Sequence, residues 1–413
     1  MTFHPILSAL LRSKTGPILV ALQVGLSLAI LANALHIVDE RRAMAARPSG
    51  LADEHAIFSI SVRDVADMTP ELELSAMKRQ IDVLRAIPGV VAVANVSQMP
   101  LSRSGSTASL ALDRRQTRES AQASMYIAGD SLVKGFGLRL IEGRDFLPHE
   151  VIEVNLSASM KIPAQGMMTK PLADKLWPQA SAVGRTIYFG SGENAQAVQI
   201  VGVVERLQSP HAQAGPEAEQ SIVIPARLYG AGQGSLLSVR TEAGQRDRVM
   251  REAETALVRA SPMPQLIRMV TVDDDRNARY RADLALQWAL IIVSVLLLLV
   301  TCSGIVGMAS LWVAQRRKQI GVRRALGARR IDILRYFIAE NLIITSCGVV
   351  TGLLLGVQLN QLLVSQLEVA HLPFVYLAGG AIMLWILGVA AAWGPAWRAA
   401  RISPATATRG VTQ

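Results

Sequence analysis

Three groups of residues have the side chains for chemistry. Asp273-Asp274-Asp275 is a run of carboxylates. Three successive side chains point in different directions on a helix or a strand, so the run suits a helix N-terminus, where negative charge complements the dipole, better than a metal site. The histidines, His4, His36, His55, His149, His211 and His371, never take H-E-x-x-H spacing and read as isolated surface or interface side chains. The third group is the densest. Seven of the fifteen residues from Arg316 to Arg330 are Lys or Arg. Such a stretch does electrostatic work: it holds one end of a membrane segment on the cytoplasmic side and offers a charged surface to a partner.

Catalytic patterns are missing from the sequence. It contains no G-x-x-x-x-G-K-[ST] phosphate loop and no G-x-S-x-G nucleophile elbow, and Gly190-Ser191-Gly192 reads as a hairpin turn between strands. Glu340 and Asn341 open an apolar run beside the basic stretch. A lone acid there is expected to be structural, within reach of Arg335 or the headgroups, rather than a proton carrier. Gln23 and Asn33 are expected to bond between helices.

The elements that position these residues follow from hydropathy. The chain has 413 residues, is 51% hydrophobic and carries a net charge of +10; its mean hydropathy is +0.31. That is too apolar for an ordinary soluble protein. From Asp39 to Asp283 there are 29 basic and 29 acidic residues; the remainder holds 13 basic against 3 acidic, which is the whole excess. The charge therefore flanks the spans and marks topology, and a nucleic-acid partner is not expected. Both cysteines, Cys302 and Cys347, lie inside predicted spans, so the extramembrane domain must be held by its own core.

The reading in chain order is a cytoplasmic interfacial helix over 1–14, a first span over 15–41, an extramembrane domain over 42–282, and a second span over 283–314 with a stalk extension. A cytoplasmic segment follows over 315–335, then a third span over 336–358, a loop over 359–373, a fourth span over 374–394 and a cytoplasmic tail over 395–413. Ala32-Asn33-Ala34 and Ala43-Met44-Ala45 resemble cleavage sites, but the first apolar run exceeds the roughly 7–15 residues of a signal core, so a retained anchor is expected. Basic flanks put both termini in the cytoplasm. In the domain, strands are expected over Ala56–Val62, Val90–Val96, Thr186–Phe189, Val198–Val204 and Ser221–Ile224. Helices are expected over Leu72–Ile87, near Pro171–Trp177 and over Arg246–Ala260; Ser102–Ser109 reads as a loop, as does Ser209–Gln220. The β-α-β start suggests a ferredoxin-like subdomain within a mixed α+β domain. The 315–335 segment reads as two short helices broken at Gly327. Gly348, Gly352 and Gly356, and more weakly Ser303 with Gly307 and Gly388 with Ala392, are small-residue strips for close helix packing, within the chain or across a dimer.

Residues 320–340, IGVRRALGARRIDILRYFIAE, resemble the signature of the FtsX-like permease family. SMYIAGDSLVKGFGLRLIEGRDF, ADKLWPQASAVGRTIYFG and VQIVGVVERL resemble segments of the outside domain of MacB-type permeases, and GPAWRAARISPATATR resembles their closing motif. The resemblance implies an α-helical bacterial inner-membrane protein with four spans and a periplasmic α+β domain, divided into a porter-like ferredoxin-type part and a β-rich part. It implies a dimeric permease, with a second copy or a paralogue, that binds no cofactor itself and is driven by a cytosolic ABC ATPase carrying ATP and Mg. An adaptor, an outer-membrane channel and membrane lipid are the other implied partners. The implied activity is efflux of amphiphilic or peptide-like compounds; lipoprotein release, or control of a cell-wall hydrolase, are the alternatives. ATPase coupling would fall to Ile320, Gly321, Arg323, Arg324, Ala325, Leu326, Gly327, Ala328, Arg329 and Asp332. The chain departs from the pattern in three places. No ATPase precedes Met1, so the ATPase is expected on a separate chain. Gln315 and Gln319 stand where the family usually has Glu. Ala328 stands where Ser is common, which removes a helix cap of about 1 kcal/mol.

Overall fold

The computed structural model describes residues 15–116, 118–158, 161–190, 192–211, 215–230, 232, 234–367 and 371–401. The expected interfacial helix at 1–14 and most of the tail lie outside the described residues. The chain divides into two compact units, residues 45–281 and the helices on either side of them.

Within 45–281, a four-stranded antiparallel sheet is built from β1 (Ile57–Asp64), β2 (Val90–Asn95), β12 (Ser235–Thr241) and β13 (Gln265–Thr271), in the order β13-β1-β12-β2. Helix Pro70–Arg85 connects β1 to β2 and helix Arg246–Ala260 connects β12 to β13. Two β-α-β halves interleaved in this order form the ferredoxin-like topology. The alternation of β1 explains the packing: Phe58, Ile60 and Val62 point to one face and are buried against Met77, Ile81, Leu84, Val249 and Leu257 of the two helices. Thr69 caps the first helix at the backbone N–H of Leu72, with Pro70 in its first turn.

The strands between the two halves make a seven-stranded sheet in the order β5-β9-β7-β10-β4-β3-β8. They are β3 (Thr107–Ala111), β4 (Ala121–Ile127), β5 (Leu140–Gly143), β7 (Gln165–Thr169), β8 (Thr186–Phe189), β9 (Gln196–Val204) and β10 (Ser221–Ile224); β6 (Ile152–Asn155) and β11 (Ala226–Tyr229) pair with each other in parallel. Because β8 pairs with both β3 and the first half of β9, the sheet closes on itself around Ile187, Val198, Ile200, Ile222 and Met168. The loop expected over Ser102–Ser109 gives way to strand at Thr107, where Thr107, Ala108 and Ser109 pair with β4; partners supply what their polar side chains do not advertise. A buried Tyr126 hydroxyl donates to the Gln208 carbonyl at 2.6 Å. The Arg144 guanidinium grips buried Glu150 with both arms, at 2.8 and 2.6 Å.

Among the described residues, four helices are long and apolar enough to cross a membrane, and the remaining unit holds all or most of each: Thr15–Ala45, Val272–Gln315, Arg330–Leu367 and Phe374–Ala400. Each outruns its predicted span. The second, at 44 residues, is about 66 Å long, twice the hydrocarbon thickness. The first span is the hub: Val20, Val24 and Leu28 pack in one cluster with Ile305 and Trp312 of the second, Ile344 and Val349 of the third, and Ala381, Leu384 and Ala392 of the fourth. The glycine strip of the third span makes this possible. A Cβ on Gly348 would lie 2.7 Å from the Ala21 carbonyl oxygen, and one on Gly352 would lie 2.8 Å from that of Gly25. Gly356 faces Ala29 and Leu377. In this chain the strip packs against the first span and, at Gly356, the fourth. Asn33 bonds to the Gly356 carbonyl, Asn341 to that of Gly388, and Ser27 to Thr301. Ser303 and Gly307 behave differently: both are exposed, and a Cβ on Gly307 would meet nothing within 4 Å.

Candidate functional site

The carboxylate run resolves into a helix start. Thr271 caps the helix that begins at Val272: its hydroxyl accepts from the Asp274 N–H at 3.0 Å, while the Asp274 carboxylate accepts from the Thr271 N–H at 3.3 Å and its hydroxyl at 2.7 Å, a reciprocal capping box. Asp273 turns instead to Arg246 at 2.7 Å and His55 at 3.1 Å. Burial, with Asp274 alongside, pushes the Asp275 carboxyl above its ordinary range. Asp273 and Asp274 thus take separate partners, and no cluster of His, Cys, Asp and Glu placed to hold a metal occurs among the described residues.

The basic stretch folds into an elbow. Helix Arg317–Ala325 follows the second span after a single non-helical residue, Arg316, and the third span's helix starts at Arg330. The first helix ends on a left-handed glycine: Gly327 has φ +97°, its N–H bonds to the Arg324 carbonyl, and the Ala328 N–H bonds to that of Arg323. This pair of bonds is the Schellman arrangement, which Gly adopts without a Cβ penalty. The next helix is capped from within, since the Asp332 carboxylate accepts from the Arg329 N–H at 3.0 Å. The cap position is Arg329 and Ala328 precedes it, so a side chain at 328 does not stand at the cap, and Asp332 satisfies the cap residue's own N–H.

The elbow has two faces. Inward, Ile320 and Gly321 are buried, and Ile320 packs with Ile333, Leu334 and Phe337 of the third span and Ala396, Ala399 and Ala400 of the fourth, with Ala328 against the cluster. Arg324 donates to the Ala400 carbonyl at 2.7 Å. Arg316 donates to both oxygens of Glu340, each at 2.8 Å. Glu340 therefore pairs with Arg316 rather than with Arg335 or headgroups, because its side chain is only 1% exposed and Arg335 points out. Outward, Ala325, Leu326, Gly327, Arg329 and Asp332 are exposed; Leu326 is 84% exposed at the tip, beside exposed Val322. Arg323 lies over the Tyr336 ring at 5.1 Å, and with Gln319, Asp332 and Phe337 the two line a cleft of about 220 Å³. Sequence reasoning missed Arg316 and Glu340 as a pair, although both residues were in view. The signal was the strong aversion of a buried carboxylate to standing alone.

Four membrane-length helices, a mixed α+β extramembrane domain and a basic elbow between the second and third helices define a membrane-protein class. Residues 291–404 match the family model described as FtsX-like permease, C-terminal. The chain carries an FtsX-like permease domain over those residues and is similar to MacB proteins along more of its length. It is 29% identical over 236 residues, 55% of its length, to the macrolide export ATP-binding/permease protein MacB of Bradyrhizobium diazoefficiens, and covers 35% of that protein. To the uncharacterized ABC transporter permease YknZ of Bacillus subtilis it is 22% identical over 78% of both chains. Among solved structures, the periplasmic region of MacB from Actinobacillus actinomycetemcomitans matches 57% of this chain and 97% of its own, at 11% identity and a TM-score of 0.34. The chain spans about a third of the length of the Bradyrhizobium relative.

Proposed function

We propose that this chain is the permease part of a MacB-type export system, in which a cytosolic ABC ATPase docks on the elbow. The excess positive charge around the spans supports a cytoplasmic elbow and termini and a periplasmic α+β domain in a bacterial inner membrane. The observation that carries the reading is the division of the elbow. A leucine that is 84% exposed stands between basic residues at the end of a short helix whose other face is packed into the third and fourth spans. An exposed apolar tip with a charged rim is the pattern of a protein contact. The 413 residues contain no phosphate loop, which fits an ATPase supplied from outside them. ATP-driven movement at the elbow would be passed through the membrane helices to the outer domain. Amphiphilic or peptide-like compounds would then be expelled with the help of an adaptor, an outer-membrane channel and a second permease copy or paralogue.

The test is to purify the tagged chain from its native membrane and identify the ATPase that accompanies it, then repeat with Leu326→Asp. The variant is expected to insert normally and lose the ATPase. Full ATPase recovery with Leu326→Asp, or no ATPase with the wild-type chain, refutes the proposal.

A further inference from the structure

We infer that Arg316 and Glu340 are positioning residues: their buried ion pair fixes the elbow to the third span, so a load applied at Leu326 reaches the third and fourth spans before the second. The inference rests on the coupling role proposed above for the direction of the load, but its structural half stands alone.

Arg316 occupies the corner between the second span's helix and helix Arg317–Ala325, with φ −96° and ψ 10° outside the helical run. A corner of one residue is where a two-helix joint bends. Here the corner residue's own side chain leaves the second span and crosses to the third, where one guanidinium nitrogen lies 2.8 Å from each Glu340 oxygen. Glu340 is ten residues into its helix, about 15 Å from the helix start. At 1% exposure it has almost no water to return to, and an apolar environment makes separation of the charges costly. The second tie is Arg324 on the Ala400 carbonyl, and the third is the apolar cluster of Ile320 with Phe337 and Ala396. All three join the elbow to the third and fourth spans. Toward the second span the described connections are the chain itself, the backbone bonds from the Arg316 N–H to the Trp312 carbonyl and from the Ile320 N–H to the Arg316 carbonyl, each at 3.0 Å, and Val313 at the edge of the cluster. The elbow is thus held to the later pair of spans by side chains and to the earlier one by backbone at a single corner.

The experiment uses the full chain in nanodiscs. In Arg316→Gln and Glu340→Gln, amide hydrogen exchange across 317–325 is expected to accelerate about tenfold or more, while strand Ser221–Ile224 keeps its protection. The reversed pair, Arg316→Glu with Glu340→Arg, is expected to recover most of that protection, which a merely space-filling role would not give. Arg316→Lys, which keeps the charge, serves if the neutral variants do not accumulate, and should stay close to wild type. Unchanged exchange in both neutral variants, or acceleration spread evenly over all four spans, overturns the inference. A second arm uses the wild-type complex with its ATPase and spin labels at Val300→Cys and Leu354→Cys, both exposed, in a Cys302→Ser/Cys347→Ser background. Trapping with ATP and vanadate is expected to shift the label distance, and Arg316→Gln to abolish the shift while the ATPase stays bound. A persistent shift in Arg316→Gln overturns the load path. Absence of a shift in the wild type counts against the coupling role, leaving the exchange result to judge the ion pair.

Discussion

Adding one methyl group to the third span at Gly352 tests the packing account directly. A Cβ there would sit 2.8 Å from the Gly25 carbonyl oxygen and 3.0 Å from the Gly25 Cα, both backbone atoms of the first span, and 2.9 Å from the Leu28 Cβ. Comfortable carbon contacts begin at about 3.5–4.0 Å, and none of these atoms can rotate away, so the two helices must separate. Overpacking of this kind costs about 1–3 kcal/mol, and because the first span carries the central cluster the loss reaches all four helices. Gly348→Ala presses on the same helix one turn away, 2.7 Å from the Ala21 carbonyl oxygen. Once one substitution has moved the helices apart the other meets less resistance, so the double variant should lose less than the sum. Gly307→Ala is the control: nothing lies within 4 Å of its Cβ, and replacing a mid-helix glycine favours the helix by up to about 1 kcal/mol. The assay is the midpoint of a denaturing detergent titration followed by circular dichroism. Gly352→Ala is expected to lower the midpoint and Gly307→Ala to hold or raise it. Shifts of equal sign and size would refute the argument.

Two further predictions concern the extramembrane domain. The Arg144 hydrogen bonds hold the Glu150 carboxyl down at about 2, below its ordinary 4.5, despite burial that works the other way. A depressed folded-state pKa contributes stability that is present above the unfolded value and lost as pH falls from 4.5 toward 2. Glu150→Gln should therefore be less stable than wild type at neutral pH and lose less across that interval, as read by thermal unfolding at several pH values; parallel curves would contradict this. Tyr126→Phe leaves the buried Gln208 carbonyl without the hydroxyl that bonds to it and should cost about 1–3 kcal/mol in urea unfolding of the domain, whereas no change would mean that the carbonyl finds another donor.

Much of the architecture was legible because it follows from local pattern. The four spans declare themselves by unbroken apolar length, and the elbow by seven cations and a glycine where two helices meet. The first β-α-β unit shows strand alternation, a Thr-Pro helix start and a Pro-Gly turn within forty residues. Strands Ser235–Thr241 and Gln265–Thr271 escaped because their partner, Ile57–Asp64, lies nearly two hundred residues away, and the second exposes Leu266 on an edge where alternation is weak. Closure of the larger sheet depended on a four-residue strand pairing on both sides, which no periodicity records.

The sequence alone determined that this chain crosses a membrane, which end of its spans gathers positive charge, and that the elbow breaks at Gly327, since each depends on residues close together along the chain. Tertiary structure decided which helix the glycine strip touches, which arginine neutralises Glu340, and which face of the elbow remains open. Those are choices among several chemically equal partners. A glycine accepts any close helix and a carboxylate accepts any of seven cations, so only the packing of distant segments selects one.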